Sequence, residues 1–191
     1  YITDAVNANT TASGGVFVSF SNVSSSSATV TVKTHVQNDS GSSKTCSVKA
    51  IIIDANDDVV TSDTSSSQAI SNSSSYQFSQ NLTVTDPCLW CPNTPYLYTV
   101  VAEVYDGSTH VDSYSTPIGI KTIDFDDTTG FSINGERVIW LGANRTQDFV
   151  WLANNMTDFQ QKLDAQRLRN CGFQHVRSSS YPQSPAYLDG C

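Results

Sequence analysis

The chain has 191 residues, 38% of them hydrophobic, with 18 acidic against 10 basic side chains for a formal net charge of −8. That length allows one or two domains. The acidic balance excludes the basic surface that nucleic acids and anionic membranes require as partners, and the longest apolar runs, at 50–53 and 138–141, are far too short to cross a bilayer.

Residues 1–120 read as strands separated by turns rich in Ser, Gly and Asn. Val16, Val18 and Phe20 alternate with Phe17 and Ser19, and Val30, Val32 and Val36 alternate with Thr29, Thr31, Lys33 and His35. Cys46, Val48, Ala50 and Ile52 share a face, as do Tyr76, Phe78, Leu82 and Val84, and then Tyr98, Val100, Ala102 and Val104. A period of two with one apolar side marks a half-buried strand. Asp106-Gly107 supplies a hairpin turn before a further run at 110–114. Six or seven strands in about 105 residues, with no helical period, predict an immunoglobulin-like β-sandwich. The serine runs at 24–27, 65–67 and 71–75 read as solvated loop tips.

Residues 121–130 read as a linker. Phe131-Ser132-Ile133 and residues 136–140 then flank Asn134-Gly135, a second hairpin signal. The second arm runs into the apolar stretch 139–143, suited to a buried parallel strand. Thr157 is the expected N-cap of a helix, with Gln160 as its capping-box partner and Asp158 in the first turn. Phe159, Leu163 and Leu168 form the expected apolar stripe, and Gly172 the left-handed cap. A strand follows at 173–177, and Ser184-Pro185 opens the next helix. Strand–helix–strand–helix order with no reversing turn predicts parallel strands.

The strands end in two polar clusters, Asn144-Arg145-Thr146-Gln147-Asp148 and Arg177-Ser178-Ser179-Ser180-Tyr181. In a barrel of parallel strands, carboxyl-terminal strand ends are where substrates sit. A complete eight-stranded barrel needs about 250 residues, and roughly 60 remain from Gly130 onward, enough for two strand–helix units. With Tyr1 first and Cys191 falling inside a predicted helix, the chain reads as an internal fragment of a larger protein.

Cys88-Leu89-Trp90-Cys91 has the spacing of a redox or zinc pair. A zinc site needs about four ligands and no second pair follows, while Pro87 and Pro92 oppose the helix that a redox motif requires. A local disulfide or two free thiols in a loop is the simpler reading. Sequons at Asn9, Asn22, Asn38, Asn72, Asn81, Asn144 and Asn155 point towards a secreted protein.

The stretch GFSINGERVIWLGANRTQD and the later CGFQHVRSSSYPQSPAYLDG resemble the start of the catalytic barrel in the glycoside hydrolases of the β-galactosidase, β-glucuronidase and β-mannosidase family. There the pattern runs G-F-x-x-N-G-x-x-x-x-x-x-G-x-N-x-H-x-D, then G-x-x-x-V-R-x-S-H-Y-P. Leu89-Trp90-Cys91-Pro92 with Pro95-Tyr96-Leu97-Tyr98 is similar to the family's L-W-x-P-x-x-P-x-L-Y. Lys121 stands where the family has the Arg of G-x-R. The resemblance implies a sandwich followed by the truncated start of a (β/α)8 (TIM) barrel at 131–191. It implies a parent that hydrolyses a terminal β-linked sugar with retention, galactosidase-like by Asn144-Arg145-x-Gln147-Asp148 and Ser184-Pro185-x-x-Leu188-Asp189.

In the family the catalytic glutamates follow later barrel strands, so the resemblance implies no catalytic residue, metal ligand or cofactor in this chain. It implies a substrate-binding set of Asn144, Thr146, Asp148, Arg177 and Ser180. Thr146 and Ser180 stand where the family has histidines that line the sugar pocket. For Arg177 the alternative is a structural ion pair. The rival function is a non-catalytic carbohydrate-binding or structural glycoprotein of the same descent. A plain adhesion module accounts for residues 1–118 but not for the later motifs.

Overall fold

The computed structural model describes residues 1–4 and 14–191. The chain divides into two compact units, Tyr1–Glu136 and Arg137–Cys191.

The first unit is a two-layer β-sandwich. One sheet runs β1 (Val16–Ser21), β2 (Ser27–Asn38), β6 (Ser74–Thr85), all antiparallel. The other runs β4 (Val59–Thr64), β3 (Lys44–Ile53), β7 (Tyr98–Asp106), β8 (Thr109–Ile118), with β5 (Gln68–Ile70) also paired to β3. The predicted alternation becomes the core: Val30, Val32, Leu82 and Val84 from one sheet meet Ala50, Ile52, Tyr98 and Val100 from the other. A second cluster at the far end joins Val36 and Phe78 to Val48, Ala102 and Val104. Gln80 is buried among these apolar residues, and its Nε2 donates to the Asp63 carbonyl at 2.8 Å, tying the sheets at an edge. The alternation gave no sign of β4 and β5, because β4 opens on two adjacent exposed valines and continues with polar residues, and β5 has only three residues. In the β7–β8 hairpin Asp106 belongs to the strand, paired with Thr109, and only Gly107 takes a positive φ, of 61°.

His35 and Asn38, both on β2, are buried polar residues. The His35 Nδ1 lies 2.8 Å from Thr3 Oγ1, because Ile2 bridges to Val36 and lays the first residues along β2. Asn38, the second of the two, ends β2, is buried, and donates from Nδ2 to the carbonyls of Ile70 at 2.8 Å and Ser42 at 2.9 Å. The Asn9 sequon lies outside the described residues.

The Leu89–Trp90 segment is pinned from several sides. Cys88 N–H donates to Tyr98 Oη at 2.9 Å, and Trp90 N–H donates to the Ile120 carbonyl at 2.8 Å. Lys121 Nζ sits 4.2 Å over the indole, and Gly119 packs so closely that a β-carbon there would lie 2.8 Å from the ring. Burial holds the Lys121 ammonium below its usual pKa. Cys88 and Cys91 are both free thiols. The Thr94 hydroxyl and the nearby N–H groups of Thr94 and Asn93 hold the Cys91 thiol below its usual pKa.

Residues 121–130, expected as a linker, contain a strand. β9 (Ile123–Asp126) pairs with β10 (Gly130–Ile133) in a sheet completed by β11 (Glu136–Arg137). Asp126 closes the β9–β10 turn by accepting from Thr128 N–H and Thr129 N–H. Asn134 and Gly135 take φ values of 51° and 78°, both positive as a type I′ turn requires. The Asn134 side chain also accepts from Thr122 N–H at 2.9 Å and donates to the Trp90 carbonyl at 3.0 Å.

Candidate functional site

The second unit is a strand–helix–strand–helix segment: β12 (Gly142–Arg145), α1 (Asp158–Asn170), β13 (His175–Ser178) and α2 (Pro185–Gly190). β12 and β13 are parallel, pairing Gly142 with His175, Ala143 with Val176, Asn144 with Arg177 and Arg145 with Ser178. Parallel strands need a crossover, and α1 provides it. Thr157 and Gln160 form the predicted capping box, and Gly172 follows the helix with φ 87°. Ser184 stands at the N-cap of α2, but its side chain makes no capping bond; Pro185 begins the helix.

Two expectations shift here. The strand is not the apolar run 139–143 but the four residues from Gly142, and Ile139 and Leu141 are exposed. The face that α1 buries is also different. Phe159 is 73% exposed, and the buried residues are Gln161 and Ala165.

The cause is Arg145. Alternation along β12 sends Asn144 and Arg145 to opposite faces. Arg145 is 5% exposed. It pairs with Asp164 at 3.0 Å, donates to Gln161 Oε1 at 2.8 Å and to Gln183 Oε1, and lies 3.9 Å over the Tyr187 ring. A buried cation requires a carboxylate and filled hydrogen bonds. The helix face that meets it is therefore polar, which an apolar-stripe search cannot find. The same packing buries Tyr187 and raises its phenol pKa well above the ordinary value.

The opposite face carries the predicted residues. Asn144 and Arg177 are direct neighbours across the parallel pair and both are exposed. Thr146 and Asp148 lie past the end of β12, also exposed, with Asp148 N–H donating to the Thr146 carbonyl at 2.9 Å. Ser180 lies past the end of β13 in a left-handed conformation, φ 70°, its N–H donating to the Ser178 carbonyl. The two clusters are thus side by side at the carboxyl ends of adjacent strands.

Residues outside the predicted set stitch them together. Gln147 N–H donates to Tyr181 Oη at 2.7 Å, and Gln147 Oε1 accepts from Ser184 N–H at 2.9 Å. Ser179 N–H donates to the Arg145 carbonyl at 2.9 Å. Gln147 and Tyr181 stood within the two polar clusters, but sequence gave no pairing between them. The arginine buried in an ion pair here is Arg145. Its signal was its place between two outward polar residues, which alternation sends inward.

Chemically this face offers a guanidinium, amides, hydroxyls and one carboxylate, a set that can orient sugar hydroxyls. Asp164, the carboxylate on the other face, is committed to Arg145. A separate cavity of about 380 Å³ is lined by Phe149, Leu152, Phe159 and Leu163, with Arg167 and Asp164 among its polar residues. Among the described residues no group of three or more His, Cys, Asp or Glu side chains is placed to hold a metal ion.

The family model of the glycosyl hydrolases of family 2 matches residues 15–121 of the chain. A β-galactosidase of Bacteroides ovatus is 32% identical over 177 residues, covering 93% of this chain and 21% of that protein. A β-glucuronidase of Formosa agariphila is 28% identical over 177 residues, 92% of this chain and 18% of that protein. The crystal structure of a Bacteroides uniformis β-glucuronidase superposes with a TM-score of 0.86 at 27% identity, over 93% of this chain and 21% of that one. The chain therefore spans about a fifth of the length of these relatives.

Proposed function

Because the chain belongs to the glycosyl hydrolases of family 2, we propose that it supplies the immunoglobulin-like sandwich and the first two strand–helix units of a catalytic (β/α)8 barrel in a larger glycosidase. The whole protein hydrolyses a terminal β-linked sugar with retention. The observation that carries this is the parallel β12–β13 pair, with Asn144 and Arg177 adjacent at its carboxyl end on the face away from the helices. In a closed barrel that face is the interior and that end is the substrate end.

Retention needs an acid/base and a nucleophile with carboxyl groups about 5 Å apart. Both come from barrel strands beyond this chain. The chain's own residues bind and orient. Asn144 and Arg177 hold sugar hydroxyls, and Thr146, Asp148 and Ser180 form the rim. Gln147, through Tyr181 and Ser184, fixes the two strand ends against each other. Thr146 and Ser180 are short neutral side chains where the family places imidazoles, so the pocket is wider and carries less positive charge. The protein is secreted, a reading supported by the sequons.

A second reading, a non-catalytic carbohydrate-binding glycoprotein, is favoured by the same two residues. Hydrolysis of nitrophenyl β-galactoside, β-glucuronide and β-mannoside by the full-length protein separates the two. Turnover reduced at least tenfold in Arg177→Ala supports the enzyme. Sugar binding without turnover supports the second reading. Turnover by the isolated 191-residue chain refutes the placement of the catalytic carboxylates outside it.

A further inference from the structure

We infer that Asn81 is an acceptor site for an N-linked oligosaccharide on the outer face of the β1–β2–β6 sheet. Transfer needs an asparagine amide and a hydroxyl two residues on, both reachable by the same enzyme. A β-strand meets that condition directly, because residues i and i+2 point to one side. In Asn81-Leu82-Thr83 the two outer residues are exposed, while Leu82 between them is buried at 2% exposure in the sandwich core. Asn81 Oδ1 accepts from Thr31 Oγ1 at 2.7 Å, which holds the amide in place. Among the described residues, Asn81 Nδ2 and Thr83 Oγ1 make no hydrogen bond. The strand partners nearest Asn81 on this face are Thr31 and, beyond it, Ser19, with Ser79 beside it on β6; Lys33 lies on the diagonal and Phe17 beyond Lys33.

The other described sequons differ in ways that separate them. Asn38 is buried, and both its Nδ2 hydrogens are given to carbonyls, so a glycan there is incompatible with this fold. Asn72 is exposed but uses Oδ1 for Gly41 N–H and Nδ2 for Ser73 Oγ. In the Asn22 sequon Ser24 Oγ bonds within its own turn, and in the Asn155 sequon Thr157 Oγ1 caps α1. Asn144-Arg145-Thr146 shares the geometry of Asn81, outer residues exposed about a buried centre. It differs in that Thr146 lies past the end of β12 and in that, under the function proposed above, the barrel closes over its face. The second contrast rests on the proposed function; the assignment of Asn81 does not.

The reaction forms a bond between Asn81 Nδ2 and the anomeric carbon of a lipid-linked pyrophosphoryl oligosaccharide. The anomeric carbon–oxygen bond to pyrophosphate breaks, the lipid pyrophosphate leaves, and the amide proton passes to the transferase base. The test is translation of the full chain, fused to a secretory signal, with microsomal membranes that supply both transferase and donor. Glycopeptide mass spectrometry of the protease-resistant, translocated product then reads each site. The expected result is a glycan at Asn81 that is lost in Asn81→Gln and equally in Thr83→Ala, and no glycan at Asn38. Unmodified Asn81 in translocated chain, or a glycan at Asn38 in the folded product, overturns the inference. The same experiment on the full-length protein reads Asn144. Occupancy there alongside Asn81 leaves the inference standing and removes the pocket reading instead.

Discussion

Replacing Arg145 with alanine is the most direct test of how the second unit is held together. The guanidinium is 5% exposed and serves Asp164, Gln161 and Gln183 while covering the Tyr187 ring. Alanine leaves Gln161 and Gln183, both buried, without their donor, and leaves Asp164 without its cation. Removing one member of a buried ion pair costs about 3–5 kcal/mol. Asp164 is partly exposed, at 26%, so water recovers some of that loss and the lower end applies. About 3 kcal/mol corresponds to roughly a hundredfold change in an opening equilibrium. Hydrogen exchange is the assay. Amides of β12, α1 and β13 lose roughly a hundredfold in protection, or reach the unprotected limit if the unit's own stability is smaller. Amides of β2, β3 and β7 are unchanged. A double-mutant cycle with Asp164→Asn then shows coupling, because the two side chains share one interaction. Protection in β12 and α1 that falls less than tenfold, or falls equally in the sandwich, refutes the assignment of Arg145 as the local anchor.

Three other outcomes are expected. Gly119→Ala places a β-carbon within 3 Å of the Trp90 side chain, whose backbone is pinned to Ile120, so overpacking destabilises the sandwich by about 1–3 kcal/mol, read as a lowered Tm; an unchanged Tm means Trp90 is free to shift. Burial raises the Tyr98 phenol above its ordinary pKa of 10.0, so the folded state favours the neutral form. Its contribution is therefore complete below pH 10 and is lost as pH rises through the higher folded value; Tyr98→Phe flattens the alkaline fall in urea midpoint, and a fall of identical steepness contradicts this. Limited chymotrypsin digestion cuts first at the 149–153 loop, where Trp151 is 97% exposed, leaving the Tyr1–Glu136 unit intact; early cuts in β2, β3 or β7 count against the division into units.

The sandwich core was legible because its signal is repeated. β2, β3, β6 and β7 set apolar residues at most alternate positions, and Val30, Val48 and Val100 end fully buried as that period requires. The Thr157–Gln160 box and Asn134-Gly135 were legible because each feature depends on particular side chains at fixed offsets. What escaped depends on partners far along the chain. β4 and β5 are strands because β3 offers an edge, and their own residues carry no period. The polar inner face of α1 follows from Arg145, which sits more than ten residues before the helix begins. The burial of Asn38 follows from carbonyls at Ser42 and Ile70, the second of them on another strand. At the site, the polar clusters were visible at the strand ends, but the neighbouring of Asn144 and Arg177 is a matter of register, which two short strands do not specify by themselves.

Asn134 has no conservative replacement. It turns the chain with a positive φ, accepts from Thr122 N–H and donates to the Trp90 carbonyl. Glycine keeps the turn and loses both bonds. Aspartate tolerates the turn and keeps the acceptor, but sets a carboxylate against a carbonyl oxygen in place of a donor. Glutamine has both polar ends and lacks the short reach and the tolerance of left-handed backbone that asparagine has. One residue thus meets a conformational demand and two opposite chemical demands at once, so this position narrows the range of sequences that can build the hairpin on this sandwich far more than any single core valine does.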